Sequence, residues 1–375
     1  MNSKRKVEEI LICLLVVLSV LFASGMQAKA DFVIGQPENL GLGINSPGFE
    51  TAAGISMDGL SFYFVRDSVE SMVSTRATKN DPWGDALYLG SLMPDDISKT
   101  VSSIGFLPTH TTADCLEAYY AAQFPGGYGR RDIWFVERDN IDDDWGPLEN
   151  LGPPVNTMYD EHLACVSPDG LELYFSGRLE EEGARPGGYG SSDLWVSRRA
   201  TRDDTWTEPE NLGATINTAS IDVRPSISPD GLLLFFDSNR PGGFGNFDLY
   251  VTRRATLSDP WGEPTNLGPM VNTATIEECA RISADGTTLY WDSTRPGGYG
   301  SNDMWQASIE PIVDLNGDGI VDCADMCIIV DNWGTDEPLC DIGPTPFGDG
   351  VVDVQDLIVI AGHLFEEIPP AEEVE

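Results

Sequence analysis

An Asp-Gly step recurs at Asp58-Gly59, Asp169-Gly170, Asp230-Gly231 and Asp285-Gly286, with Asp114-Cys115 as a degraded fifth copy. The aspartates lie 56, 55, 61 and 55 residues apart. A self-similar period of this length restricts the chain to a repeat architecture, in which each unit buries its apolar surface against its neighbours. The finer spacing is stricter. Asp132 to Trp145, Asp193 to Trp206, Asp248 to Trp261 and Glu70 to Trp83 each span 13 residues, and Asn150, Asn211, Asn266 or Tyr88 follows five later. The six extra residues of the third copy fall in LEEEGARPGGYG, a loop where insertion costs little.

Each unit reads as four short strands. An apolar run enters the Asp-Gly turn, where a two-residue hairpin would need positive φ at both positions. A second strand follows (LLLFFDS, LELYFSG, TTLYWDS, LEAYYAA, LSFYFV), then a glycine-rich loop (RPGGFG, RPGGYG, FPGGYG). The third strand is DLYV, DLWV, DIWF or DMWQ, and the fourth carries NLG. Four strands per repeat around an axis describe a β-propeller blade. PENLG at 37–41 is a fourth strand with no blade before it, and DMWQASI is a third strand with no fourth behind it. The N-terminal strand is therefore expected to complete the last of five blades and close the ring.

Outside the repeats, the two ends read differently. Lys4-Arg5-Lys6, an apolar run from Ile10 to Phe22 and Ala28-Lys29-Ala30 form the pattern of a secretory signal over 1–30. The mature chain would start at Asp31, be secreted, and carry no membrane insertion. The propeller is expected over 31–309. DLNGDGIVDCAD at 314–325 then has the spacing of a calcium loop: Asp314, Asn316, Asp318, Asp322 and Asp325 offer side-chain oxygen, Ile320 a carbonyl, and Gly319 the sharp turn. A second loop offers Asp349, Asp353 and Asp356, with Val351 as the carbonyl donor. Counted back from Asp356, its first position is Thr345, and Asp341 enters only if GPTPF bulges outward. These loops and the apolar stretches behind them make a small α-helical EF-hand-like module over 310–365, and 366–375 reads as a disordered acidic tail.

Composition narrows the partners. A formal charge of −39, from 61 acidic and 22 basic residues, repels nucleic acid and anionic membrane and attracts cations. Six of the seven cysteines follow the signal; Cys323, Cys327 and Cys340 cluster in the calcium module, where one bridge such as Cys323 with Cys340 is a possibility that spacing alone does not fix. His110, His162 and His363 stand at unrelated positions, so no Ser-His-Asp or His-rich zinc pattern exists.

The Ser-Pro-Asp-Gly turn, Leu-Tyr-Phe strand, Asn-Arg step and Asp-Leu-Tyr strand resemble the TolB-type, WD40-like propeller repeats over about 31–309. The paired calcium loops, about 31 residues apart and ending in Asp, resemble a dockerin module. The first resemblance implies a binding platform. The second implies Ca2+, a cohesin-type protein partner and a setting of polysaccharide degradation.

Two sets of residues compete for function. Asn45, Asn156, Asn217 and Asn272 are each followed five residues later by an acid: Glu50, Glu161, Asp222 and Glu277. These could serve as the carboxylates of a glycoside hydrolase, or as blade-to-blade ion pairs with Arg178, Arg240 or Arg295. Their recurrence in four copies, and the joint loss of acid (Phe106) and arginine in the second copy, favour the ion pairs. Trp83, Trp145, Trp206 and Trp261, one per blade, fit inter-blade packing. Tyr128, Tyr189, Phe244 and Tyr299, each flanked by glycines on a loop, are the candidates for stacking on a glycan or protein ligand. The expected function is a non-catalytic, secreted binding propeller; the alternative is a glycoside hydrolase.

Overall fold

The computed structural model describes residues 32–91, 111–178 and 185–368, apart from 69, 336, 338, 344–347, 349 and 350. The proposed signal (1–30), Phe106 and Asp349 therefore lie outside the described residues. No described helix is long and apolar enough to cross a membrane.

Five antiparallel sheets form the blades of a propeller. Blade 1 runs β3 (Glu50–Ile55), β4 (Ser61–Arg66), β5 (Glu70–Thr75), β6 (Leu87–Ser91). Blade 2 shows β7 (Glu117–Ala122), β8 (Asp132–Glu137) and β9 (Glu149–Asn150); residues 92–110, where its first strand is expected from the sequence, lie outside the described residues. Blade 3 holds β10 (Asp160–Val166) to β13 (Glu210–Asn211), and blade 4 holds β14 (Asp222–Ile227) to β17 (Thr265–Asn266). Blade 5 is β18 (Glu277–Ile282), β19 (Thr288–Ser293) and β20 (Asp303–Pro311), completed by β2 (Glu38–Asn39). Glu38 pairs with Gln306 and Asn39 with Trp305, so the N-terminal strand closes the ring. A further strand absent from the sequence reading, β1 (Phe32–Ile34), pairs with the outer end of β20 and buries Phe32 against Phe235 and Trp291.

The repeated letters are explained by one hydrogen-bonded latch. Asn150, Asn211 and Asn266 donate to Asp132, Asp193 and Asp248 at 2.7–2.9 Å. Asn156, Asn217 and Asn272 donate in turn to the oxygens of those asparagines at 2.8 Å. Buried amides and carboxylates persist only when satisfied, so all three positions recur together.

The tryptophans follow the same logic between blades. Trp83, Trp206 and Trp261 meet Tyr290, Tyr119 and Tyr174 of the preceding blade, with ring centroids 6.5, 6.2 and 6.1 Å apart. Over each Trp lies an arginine of its own blade, Arg76, Arg138, Arg199 or Arg254, at 4.2–4.5 Å, in cation–π geometry. The guanidinium Nε of each donates to a carbonyl of the Asp-Gly turn.

That turn differs from expectation. Only its last residue takes positive φ: Gly59 +70°, Cys115 +57°, Gly170 +79°, Gly231 +75° and Gly286 +74°. Its amide donates to the Ser or Thr three residues back, whose hydroxyl binds the turn Asp. The serine before the Pro-Asp-Gly supplies the closure, so a longer loop with one left-handed residue replaces the two-residue hairpin.

Beyond the propeller, α1 (Cys323–Asp331) and α2 (Val354–His363) each follow a loop and bury Ile329 and Ile360 in a shared core with Val321, Val352 and Ile342. Glu366–Ile368, assigned above to the disordered tail, instead pair back on the first loop. The Val321 amide donates to Glu366, and Ile368 to Gly319. Ile368 packs on the helical core, and an apolar residue buried there offsets the entropy of ordering the segment.

Candidate functional site

The glycine-rich loops are built on the latch aspartates. Asp132, Asp193, Asp248 and Asp303 each accept the amides of the loop aromatic and of the following glycine; Tyr128, Tyr189 and Phe244 donate at 2.7, 2.5 and 2.6 Å. The backbone under each ring is thereby fixed while the ring remains outside. Tyr128, Tyr189, Phe244 and Tyr299 are 55, 54, 48 and 49% exposed, unusual for aromatic rings on rigid loops.

The four recurring acids are enclosed. Glu50 meets Arg66 at 2.9 Å, Asp222 meets Arg240 at 2.7 Å, Glu277 meets Arg295 at 3.6 Å and Glu161 meets Arg185 at 4.0 Å. Each also accepts the amide of the Ser or Thr four residues before it. Arg185 takes the place expected of Arg178: Arg178 aligns with Asn239, and the six-residue insertion follows it before the arginine of the RPGGYG loop. Blade 1 supplies Arg66 from the end of its second strand. Carboxylates placed in this way tie loops to strands and are closed off from solvent.

A second polar cluster was not visible in the sequence. The bulged first strands of blades 4 and 5 hold Arg224 and Cys279 at φ +55° and +57°. Arg224 Nη1 reaches Asp237 at 3.1 Å within its blade and Glu278 at 3.0 Å in the next. The Cys279 amide donates to Asp237 at 3.0 Å; Asn302 and Thr51 donate to Asp292 at 2.7 and 3.3 Å. Asp237 and Asp292 are buried, whereas Arg224 and Glu278 keep some access to solvent. Burial pushes the Asp292 carboxyl up to about 6, with the Glu278 charge adding to the rise. Burial likewise raises Asp237, against the opposing pull of Arg224. The corresponding residues elsewhere are Val65, Ala121 and Ser176, so this cluster belongs to blades 4 and 5 alone.

In the C-terminal module, Asp314 accepts the amides of Gly317, Asp318 and Gly319, with Gly319 at φ +87°. Asp325 is fully buried and accepts the amides of Leu315, Asn316 and Asp322. Asp322 caps α1 through Ala324, Asn316 donates to Asp318, and Ile320 bridges to Glu367. Among the described residues no three acidic, His or Cys side chains converge to coordinating distance, and none of these acids has a basic partner. Carboxylate and amide oxygens are donor types that a hard dication takes, but here the carboxylates of Asp314 and Asp325 are drawn onto the loop's own amides.

The second loop follows the first with a shifted register. Asp356 is buried and accepts from Ile342, Gly343 and Asp353, as Asp325 does from Leu315, Asn316 and Asp322. Asp341 therefore stands where Asp314 stands, not Thr345, and its carboxylate packs against Gly348. Asp353 caps α2 through Gln355, and Val351 is exposed. All six described cysteines are free thiols, so no Cys323–Cys340 bridge forms; Cys340 is buried while Cys323 and Cys327 are exposed.

With fold and site in view, the chain is a five-bladed β-propeller followed by two short loop-helix units. No protein-family model matches it, and no curated protein matches it. Among solved structures it is similar to a TolB protein of Agrobacterium tumefaciens (13% identity, 72% of this chain and 80% of that one, TM-score 0.39). It is also similar to TolB of Acinetobacter baumannii (11%, 75% and 64%, TM-score 0.41) and an α-L-arabinofuranosidase of Lactobacillus brevis (15%, 74% and 91%, TM-score 0.44). Likeness at this level concerns architecture and says nothing of ligand or activity.

Proposed function

We propose that the chain is a secreted, non-catalytic propeller that holds a glycan through the aromatics of its glycine-rich loops. Its C-terminal module would bind Ca2+ and dock to a cohesin-type partner. One observation carries the binding reading: four exposed rings stand on loops whose backbones are pinned by Asp132, Asp193, Asp248 and Asp303. A ring face presented without ordering cost suits the C–H face of a sugar. The recurring acids, by contrast, are consumed by arginine and by loop amides.

In the module, Asp314, Asn316, Asp318, Ile320, Asp322 and Asp325 would hold one ion. Asp341, Asp353, Asp356 and the Val351 carbonyl are the described donors for a second. Bound calcium supplies the positive charge that lets these carboxylates share one loop. The exposed helical faces differ, with Cys323 and Cys327 on α1 against Val354 and Ile358 on α2. A partner would therefore engage the module in one preferred orientation.

A glycan array run beside a reducing-sugar assay on the same chain tests the propeller. Retention without turnover supports the reading, and turnover defeats it. Calcium calorimetry on the full chain tests the module, where Asp314→Ala should remove the tighter event. Hydrolysis is the second reading, favoured by the unrepeated Arg224, Asp237, Glu278 and Asp292. It requires that Glu278→Gln abolish a measured turnover while the melting temperature holds.

A further inference from the structure

Blade 3 lacks a serine that blades 4 and 5 share. In blades 4 and 5 a serine ties the loop arginine to the recurring acid. Ser238 donates to Asp222 at 2.6 Å and accepts from Arg240 at 3.0 Å; Ser293 donates to Glu277 at 2.8 Å and accepts from Arg295 at 3.1 Å. Blade 3 carries Gly177 there. The sister serines accept from arginine Nε, so Arg185 Nε lacks that acceptor; Arg185 Nη1 and Glu161 stand 4.0 Å apart, against 3.6 Å for Arg295 and Glu277. Arg185 Nη2 still donates to Pro154 and Val155, but Nη1 is buried and has no hydrogen-bond partner among the described residues. The side chain is only 9% exposed, so this is a costly orphan donor.

A cavity of about 240 Å3 opens at this place, lined by Gly177, Arg185, Tyr189, Asp193 and Trp195. Tyr189 is one of the four exposed loop rings, while Trp195 is buried. We propose that this cavity is the ligand-selecting subsite of the propeller and takes one neutral sugar residue, a hydroxyl or ring oxygen accepting from Arg185 Nε, the atom that the serine binds in blades 4 and 5, while a C–H face rests on Tyr189. This rests on the glycan-binding reading above and names the blade and the class of sugar. The volume lies below the roughly 300–1,000 Å3 of drug-sized sites, so a single ring fits and a chain must pass outside.

Charge selects neutral over acidic sugars. Asp193 lines the space, and the chain carries a net −39, so a uronate would meet repulsion on entry. Burial raises the Glu161 carboxyl, with Thr157 and Arg185 opposing it, as expected of an ion pair left loose. A sugar hydroxyl gives Arg185 Nε the acceptor that Ser238 and Ser293 give its counterparts, without adding charge.

Gly177→Ser is the deciding variant. Blade 5 already combines Ser293 with Trp305, the counterpart of Trp195, so the substitution reproduces an arrangement this fold accommodates. A Cβ at Gly177 would stand 3.0 Å from Trp195 Nε1, requiring a shift of a few tenths of an ångström. The full chain, Gly177→Ser and Tyr299→Ala are applied to one array of neutral and uronic-acid glycans, with melting followed in parallel. Binding of neutral glycans weakened roughly ten- to hundredfold in Gly177→Ser, at unchanged or raised melting temperature, supports the subsite. Wild-type affinity in Gly177→Ser alongside loss in Tyr299→Ala overturns the subsite and leaves the aromatic platform standing. Preference for uronic-acid glycans overturns the neutral class. Retention of no glycan by the wild-type chain overturns both readings.

Discussion

Asn39 Nδ2 donates to Asp303 Oδ2 at 2.9 Å, joining residues 264 apart in the chain. The same contact inside blade 3, Asn211 to Asp193, spans 18 residues. Chemically alike, the two bonds differ in what they close, since the first holds the ring shut. Replacing either asparagine by Asp sets two carboxylates against each other and should cost about 2–4 kcal/mol. Asn39→Asp should in addition broaden the melting transition or expose an unpaired edge that aggregates. Equal, sharp transitions for both variants would show that the N-terminal strand does not close the ring.

Arg254 stacks on Trp261, donates to the Gly231 carbonyl at 2.9 Å and meets Glu172 of the preceding blade at 2.6 Å. Truncation to Ala leaves the partly buried Glu172 with Tyr174 and Arg198 as its remaining donors. Chemical denaturation should register a loss of about 3–5 kcal/mol. A loss below about 1 kcal/mol would place the stacking outside the stability of the interface.

Cys115 takes φ +57° at the turn position that glycine holds in the other four blades. A left-handed residue with a Cβ costs roughly 1–2 kcal/mol, and glycine removes that strain while adding freedom to the unfolded chain. Cys115→Gly should therefore stabilise the protein by about 1 kcal/mol, measured as a rise in denaturation midpoint at constant slope. A drop would mean that the side chain's packing outweighs the strain.

Asp292, buried with its carboxyl at about 6, faces Glu278, Arg224 and Cys279, with Thr51 and Asn302 as donors. An acid whose folded pKa exceeds its unfolded value binds its proton more tightly when folded. Its contribution is fully present below about pH 4 and lost as pH rises through 6, a change on the order of 2–3 kcal/mol. Asp285, held low by Lys79, Ser283 and Thr287 despite partial burial, acts in the opposite sense below pH 4. Asp292→Asn should flatten the stability profile between pH 4 and 6 and leave the acid limb in place. An unchanged slope in that window would contradict the assignment.

Much of the ring was legible because the latch uses the same residue types at the same spacing in most blades. The 13- and five-residue intervals are Asp, Trp and Asn positions of one hydrogen-bonded unit. Legibility failed where chain order and space part company. Arg185 replaces Arg178 as partner of Glu161 because the insertion displaces the loop arginine. Asp341 takes the first position of the second C-terminal loop because Ile342 and Gly343 lie 14 and 13 residues before Asp356, where Leu315 and Asn316 lie 10 and 9 before Asp325. The cluster of Arg224, Asp237, Glu278 and Asp292 was hidden in strands that read as ordinary repeats. Its members meet only because bulges at Arg224 and Cys279 bring neighbouring first strands into register. Nothing in the sequence distinguishes Gly177 from other glycines; its difference lies in the serines that bind Asp222 and Glu277 in blades 4 and 5.

Binding without catalysis is the central claim, and one titration addresses it. The full chain and a variant with Tyr128→Ala, Tyr189→Ala, Phe244→Ala and Tyr299→Ala are titrated by calorimetry with a glycan retained on the array, and reducing ends are counted in the same samples. The expected result is saturable binding by the full chain, no new reducing ends, and affinity at least roughly tenfold weaker in the variant at unchanged melting temperature. Reducing ends that accumulate with time, or equal affinity in the two proteins, would contradict it.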